Sequence, residues 1–286
     1  MTTRASVLAR GASNGAGNLT VDTINLSIAG VTGWTGRAIA AGALAAPDLT
    51  LKSGIARRSA GQDLGLALGG DAVGVPVYAS AGEALNGVDV LVEFTSHSHA
   101  KNIALDGIER GVAVVIGSSG LTADDFKEVD EAARAAGVGA VAAGNFSLTA
   151  AMMLAGAELA ARHLRQWEII DYAMSTKPDA PSGTARDLAE RLAEVREPEV
   201  DVPVDLVAGR PGARGATIAG TQVHSVRIPS FVVSTEIVFG ADEERLSIRH
   251  DSGSSAAPYV KGVLVAVRRA RGHVGLIRGL DRLLLQ

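Results

Sequence analysis

Between residues 24 and 143, short apolar runs alternate with longer amphipathic stretches, and this alternation restricts the fold more than any other feature of the chain. The runs fall at 24–29, 49–56, 88–94, 112–116 and 139–143, and helix-like stretches stand between them at 37–46, 100–110 and 124–136. Residues 88–94 read VDVLVEF, the nearly continuous apolar run of a parallel strand buried between two layers. A repeat of strand and helix at this spacing predicts an α/β fold built on a doubly wound parallel sheet.

The first strand runs directly into Gly30-Val-Thr32-Gly33-Trp34-Thr35-Gly36, and a helix follows. Three glycines so placed allow a tight turn, a close approach of backbone to a pyrophosphate and close helix packing, the pattern of a dinucleotide site. A chain with 34 glycines also produces such spacing by chance; the position between strand and helix favours the functional reading. The second strand ends in Arg57-Arg58-Ser59 with no acidic residue at its tip. Arginine there accommodates a ribose 2′-phosphate, whereas an acidic residue would bond a free 2′-OH. NADP(H) is therefore preferred and NAD(H) possible, although two solvated arginines would look the same. Three later strand ends, at Phe94-Thr95, Gly117-Ser118-Ser119 and Gly144-Asn145-Phe146, add small polar residues on the edge where such sheets hold ligands.

After Ser147 the character changes. A helix over 148–164 leads to a strand at 168–172, a polar loop, and a second helix opened by Pro181-Ser182-Gly183-Thr184 and continuing to about 196. A helix start presents N–H groups without intrahelical partners at the positive end of the dipole. Gly183 leaves the approach open, Ser182 and Thr184 add hydroxyls, and Lys177 brings the one full positive charge nearby. Together they form a receptacle for a carboxylate or phosphate; a plain Ser-capped helix with a solvated lysine is the alternative. Beyond 196, short segments at 202–207, 216–219, 221–228, 231–239 and 245–250 read as strands, several alternating as antiparallel strands with one wet face do. Residues 147–255 are expected to form a second, smaller α+β domain with a mixed sheet. A helix at 258–271 and an apolar tail at 276–285 return to the first domain, which takes in 24–146 and 256–286.

With 47% hydrophobic and 20% charged residues the chain can bury a large core. Its net charge of −4 argues against nucleic-acid or anionic-membrane surfaces. No apolar run approaches the length of a membrane span. The absence of cysteine rules out disulfides, thiolate metal sites and a cysteine nucleophile, and accords with the reducing cytoplasm expected here. No metal site is expected. Residues 1–23, rich in Gly, Asn, Ser and Thr, are expected to be a disordered leader.

The chain resembles the 4-hydroxy-tetrahydrodipicolinate (dihydrodipicolinate) reductase family of bacterial lysine and diaminopimelate biosynthesis. The residues that carry the resemblance are Gly30-x-x-Gly33-x-x-Gly36-Arg37, Glu93-Phe94-Thr95, Gly117-Ser118-Ser119-Gly120, Asn145-Phe146-Ser147, Val223-His-Ser-Val-Arg-Ile-Pro229 and, most specifically, Lys177-Pro-Asp-Ala-Pro-Ser-Gly-Thr184. The resemblance implies a Rossmann-like domain plus a substrate and tetramerisation domain, a homotetramer, and hydride transfer from a nicotinamide to a carboxylated cyclic imine. It implies that Lys177, Ser182, Gly183 and Thr184 hold substrate carboxylates, and that the loops at 117–120 and 144–147 cradle the nicotinamide and its ribose.

One departure stands out. The family's His-His pair, a proton donor and a substrate contact, falls here on Ala173 and Met174, and a later histidine motif reads Val233-Ser234-Thr235-Glu236. Lys177 is the candidate catalytic residue, with Tyr172 or a water as alternative proton donors, and Met174 a candidate substrate contact. Three readings follow: a reductase of the lysine pathway, a related imine reductase with another substrate, or a non-catalytic dinucleotide-binding protein. Lys177 and the intact Ser182-Gly183-Thr184 run count against the third, because a sensor needs no substrate clamp.

Overall fold

The computed structural model describes residues 23–285, so all but the last residue of the expected leader lies outside the described residues. The first half is a repeat of strand and helix: β1 (Ile24–Ala29), α1 (Trp34–Ala45), β2 (Leu49–Ile55), α2 (Leu64–Ala67), β3 (Val77–Tyr78), α3 (Ala81–Ala84), β4 (Val90–Glu93), α4 (His97–Glu109), β5 (Ala113–Ile116), α5 (Ala123–Ala136) and β6 (Gly139–Ala142). The second half runs α6 (Leu148–Ala161), β7 (Gln166–Ala173), α7 (Gly183–Val195), β8 (Ala216–Ile218), β9 (Thr221–Arg227), β10 (Val233–Ala241), β11 (Glu244–Ser252), α8 (Ala257–Ala270), β12 (Gly275–Arg278) and α9 (Leu280–Leu284).

Seven strands form a parallel sheet in the order β12-β6-β5-β4-β1-β2-β3. The order reverses at β1, which pairs with β2 on one side and β4 on the other. The crevice beyond the carboxyl ends of those strands is where such sheets take ligands. Side chains of β1, β4 and β5 are buried on both faces, and the two apolar layers meet α1 and α8 on one side and α4 and α5 on the other.

The other five strands form a mixed sheet, β11-β10-β7-β9-β8, in which β7 and β9 are parallel and the remaining pairs antiparallel. Its inner face buries Trp167, Ile169, Val223, Ile237 and Phe239 against α6 and α7. One expectation is corrected. Residues 202–207 form no strand but a single 3₁₀ turn at Val204–Leu206 directly after Pro203, a residue that cannot donate to a ladder. The apolar tail is β12, the edge of the parallel sheet, followed by α9. Among the described residues no helix is long and apolar enough to cross a membrane.

Candidate active site

The nucleotide wall begins at Gly30, whose φ of +77° is left-handed. A Cβ at Gly30 would lie 2.1 Å from the Phe94 carbonyl oxygen, and one at Gly36 2.1 Å from the Gly30 carbonyl oxygen. Only glycine fits these two places. Gly33 is the N-cap of α1 and supplies no side-chain cap, and the first turn holds no acidic residue. The N–H groups of that turn are therefore open to a phosphate, with no carboxylate competing for them. Thr32 and Thr35 are half-buried in the same turn, and the Arg37 guanidinium donates to the Thr32 carbonyl at 3.0 Å. Arg57 and Arg58 are exposed in a 3₁₀ turn directly after β2. These residues fit a dinucleotide with its pyrophosphate on α1.

Beside them, fully buried Glu93 at the end of β4 ties two loops together. Its Oε1 accepts from the Thr95 N–H (2.7 Å), the Thr95 hydroxyl and the Ser118 hydroxyl (2.9 Å). A Cβ on Gly117 would meet the Phe94 ring at 2.0 Å, so that glycine lets the two strand ends close up. Asn145 Oδ1 accepts from the Ser147 N–H at 2.9 Å and shapes the turn after β6. Phe146 corrects an expectation: its ring is only 2% exposed, packs 5.8 Å from that of Phe94, and belongs to the core. A large apolar ring beside a polar turn is pulled inward; the part of this loop that lines the cleft is Gly144 and Asn145.

The facing wall is built on β7. Its burial alternates, with Trp167, Ile169, Asp171 and Ala173 facing inward. Asp171 is fully buried, and its Oδ2 accepts from Arg227 Nη2 (2.7 Å), the Ser182 N–H (2.9 Å) and the Ser225 hydroxyl (3.2 Å). Arg227 also donates to the Asp179 carbonyl (2.8 Å), so the pair holds the loop 174–182 at Asp179 and Ser182. The start of α7 can then be counted group by group. The Ser182 N–H goes to Asp171, and the Ala185 N–H to the Ser182 hydroxyl at 3.4 Å. Of the four donors that a helix start leaves over, those of Gly183 and Thr184 remain without a partner among the described residues. Two adjacent N–H groups at the positive end of a helix match the two oxygens of a carboxylate. Lys177 stands next to them, its Nζ 2.8 Å from Asp179 Oδ1, and this ammonium holds the Asp179 carboxyl below its ordinary pKa.

The two walls meet. One cleft is lined by Ser119, Gly144 and Asn145 from the nucleotide side and by Lys177, Ser182, Gly183 and Thr184 from the other. Trp34 reaches into it from α1, with Tyr259 of α8 edge-on at 6.2 Å. Met174 is not among its lining residues: the side chain is 41% exposed, and its carbonyl accepts from the Lys177 N–H in the turn after β7. Ala173 is buried.

Sequence reasoning passed over several residues of this cleft. Thr235, Asp187 and His250 line it. Burial raises the Asp187 carboxyl above its ordinary pKa and lowers that of His250. For Thr235 and His250 a signal was available as polar residues at inward positions of β10 and β11. His224 lies elsewhere, with Nε2 2.6 Å from Glu168 Oε2.

Comparison with known proteins identifies the family. Residues 24–146 match the family model for the dihydrodipicolinate reductase N-terminus, and residues 149–284 that for its C-terminus. The 4-hydroxy-tetrahydrodipicolinate reductase of Moorella thermoacetica is 38% identical over 271 residues, covering 92% of this chain and 99% of that protein. That of Geobacillus thermodenitrificans is 36% identical over 264 residues, covering 92% and 99%. A dipicolinate-bound dihydrodipicolinate reductase from Paenisporosarcina superposes with a TM-score of 0.81 at 27% identity, covering 91% of this chain and 98% of that one. An amine dehydrogenase from Mycobacterium smegmatis shares the fold at TM-score 0.63 and 18% identity, covering 91% and 95%. The chain belongs to the dihydrodipicolinate reductase family.

Proposed function

We propose that this NAD(P)H-dependent reductase acts on 4-hydroxy-tetrahydrodipicolinate, a cyclic imine bearing carboxylates, with NADPH as the preferred cofactor. The observation that carries the reading is the single cleft lined both by the loops after β5 and β6 and by Lys177, Ser182, Gly183 and Thr184. When bound, the cofactor supplies the hydride. The chain's own groups do the rest. Gly30, Gly33 and Gly36 let the backbone approach a pyrophosphate, and Arg57 and Arg58 face a 2′-phosphate. The Gly183 and Thr184 N–H groups hold one substrate carboxylate, and Asp171 keeps them aimed. The Lys177 ammonium leaves Asp179 for the incoming anion and stands as a proton source in the cleft, where hydride delivery to the ring is accompanied by loss of the 4-hydroxyl as water. Fixed donors of this kind stabilise charge without reorganising during the reaction.

In the same reading, residues 24–146 and 256–286 are the nucleotide-binding domain and 147–255 the substrate and oligomerisation domain. A homotetramer is supported by the outer face of the mixed sheet. Helices α6 and α7 cover the opposite face, and Ile170, Tyr172 and Val238 are left half-buried on the outer one. The compartment we assign is the cytoplasm.

Ala173 and Met174 favour a second reading, in which the cofactor site and one carboxylate clamp are kept while the substrate is a less polar imine. One assay separates the two. Purified protein is given NADPH with 4-hydroxy-tetrahydrodipicolinate, and in parallel with a panel of other carboxylated cyclic imines. A kcat/KM of about 10⁴ M⁻¹s⁻¹ or more on the first supports the lysine-pathway reading. Turnover confined to another imine replaces it with the second.

A further inference from the structure

Three buried polar side chains, those of Asp171, Thr235 and His250, share one transverse row on the inner face of the mixed sheet. Across β9, β7, β10 and β11 that row reads Ser225, Asp171, Thr235, His250, in register; the next row inward reads Val223, Ile169, Ile237, Ile248. Buried polar side chains ordinarily have partners that satisfy them. Asp171 and Ser225 belong to the clamp that aims α7. The other two are unaccounted for. Thr235 is 1% exposed, and among the described residues its hydroxyl has no hydrogen-bond partner. His250 is 7% exposed, and among the described residues its one hydrogen-bond contact is a long 3.4 Å from Nε2 to the Ser147 hydroxyl. That hydroxyl is already engaged as the N-cap of α6 and with the Thr149 hydroxyl at 3.0 Å.

Both side chains line the cleft that holds Lys177, Gly183 and Thr184. A hydroxyl left unsatisfied at a buried position costs stability unless something arriving from the cleft satisfies it. The two stand directly opposite each other on antiparallel strands, where Cβ atoms are about 4.5–5.5 Å apart. That spacing suits one hydroxyl donor and one imidazole donor reaching the two oxygens of a single carboxylate.

We propose that Thr235 and His250 form a second carboxylate subsite, which holds the end of the substrate opposite the carboxylate bound by Gly183 and Thr184. The subsite rests on the reading of the cleft given above. It makes the site specific for a dicarboxylate over a monocarboxylate. It also supplies an imidazole from β11 to a site beside which β7 ends in Ala173.

Dipicolinate, an unreactive dicarboxylate, is the probe. In full-length protein labelled with ¹⁵N-histidine, the side-chain resonance of His250 is identified by its loss in His250→Gln. Dipicolinate is then titrated, with affinity measured by calorimetry on the same samples. The subsite predicts that the His250 resonance shifts to saturation along the calorimetric curve. It predicts that His250→Leu and Thr235→Val each weaken dipicolinate on the order of tenfold or more. Pyridine-2-carboxylate should bind all three proteins alike. His250→Gln, which keeps an N–H donor, should recover most of the loss, whereas a role in packing alone would give no such rescue. An unmoved His250 resonance in wild-type protein saturated with dipicolinate overturns the subsite even where a variant fails to fold. Absence of any dipicolinate binding by the wild type overturns the carboxylate reading of the cleft, and the subsite with it.

Discussion

At the scale of single residues the account turns on a few groups with separable duties. Lys177 is salt-bridged to Asp179 at 2.8 Å and is one-quarter exposed, so it is held at the cleft yet free to change partner. Lys177→Ala should raise the KM for the imine, lower kcat, or both, by a combined factor of about 10 to 100, the worth of one charge-assisted hydrogen bond. NADPH affinity, measured separately by fluorescence, should stay nearly constant; an equal loss of cofactor binding would place the lysine on the wrong ligand. Arg57→Glu makes the converse test at the other wall. It should weaken NADPH relative to NADH by about tenfold or more, read as the ratio of the two Kd values. An unchanged ratio would remove the 2′-phosphate from the tip of β2. Several residues were legible because their chemistry depends on type alone: Gly30 and Gly36 admit no side chain, and Lys177 is a lone cation before a helix start. Phe146 and Met174 misled because their names do not say which way they point. One is drawn into the core and the other left on the surface.

Elements were legible where their ends are written locally. Helix α5 opens with a capping box, the Thr122 hydroxyl accepting from the Asp125 N–H and Asp125 accepting from the Thr122 N–H, and it closes on Gly137 in the left-handed region. Lys101 adds a salt bridge to the same carboxylate at 2.9 Å. The Thr122 N–H is the largest of the influences that bring Asp125 down from 3.8 to about 2. A carboxyl with a depressed folded pKa stabilises the protein above its unfolded pKa and loses that contribution as pH falls through the folded value. Asp125→Asn should therefore lower the Tm at pH 6, and the gap from wild type should close between about pH 4 and pH 2. A gap independent of pH would mean that the box is not ionised. Thr122→Ala should cost about 1 kcal/mol at neutral pH. Strands β3 and β12 were not legible in the same way. The first is two residues long, and the second is defined by pairing with β6, whose residues lie more than 130 positions earlier. Nothing local records such a partner.

The whole molecule works only if its two sheets are held at a fixed relation, and one arginine is central to that. Arg191 of α7 pairs with Glu158 of α6 and, bidentate, with Asp281 of α9, which is 1% exposed. These carboxylates, with their hydrogen bonds and charge, hold the Arg191 pKa above its ordinary value against the opposing effect of burial. Because α9 follows the edge strand of the parallel sheet while α6 and α7 cover the mixed one, this triad spans both halves. Arg191→Leu leaves Asp281 buried and unpaired, and should cost about 3–5 kcal/mol in chemical denaturation. A loss under 1 kcal/mol would show that the triad is not what joins them. The sheets themselves could be foreseen from sequence, but their mutual placement could not, because Arg191 and Asp281 are 90 residues apart. That placement carries the central claim, that nucleotide and acid meet in one cleft. A crystal structure of the complex with NADPH and dipicolinate tests it most directly. The account predicts a carboxylate on the Gly183 and Thr184 N–H groups, with the nicotinamide ring stacked against the same dipicolinate molecule. A dicarboxylate bound away from α7, or a nicotinamide turned out of the cleft, would contradict it.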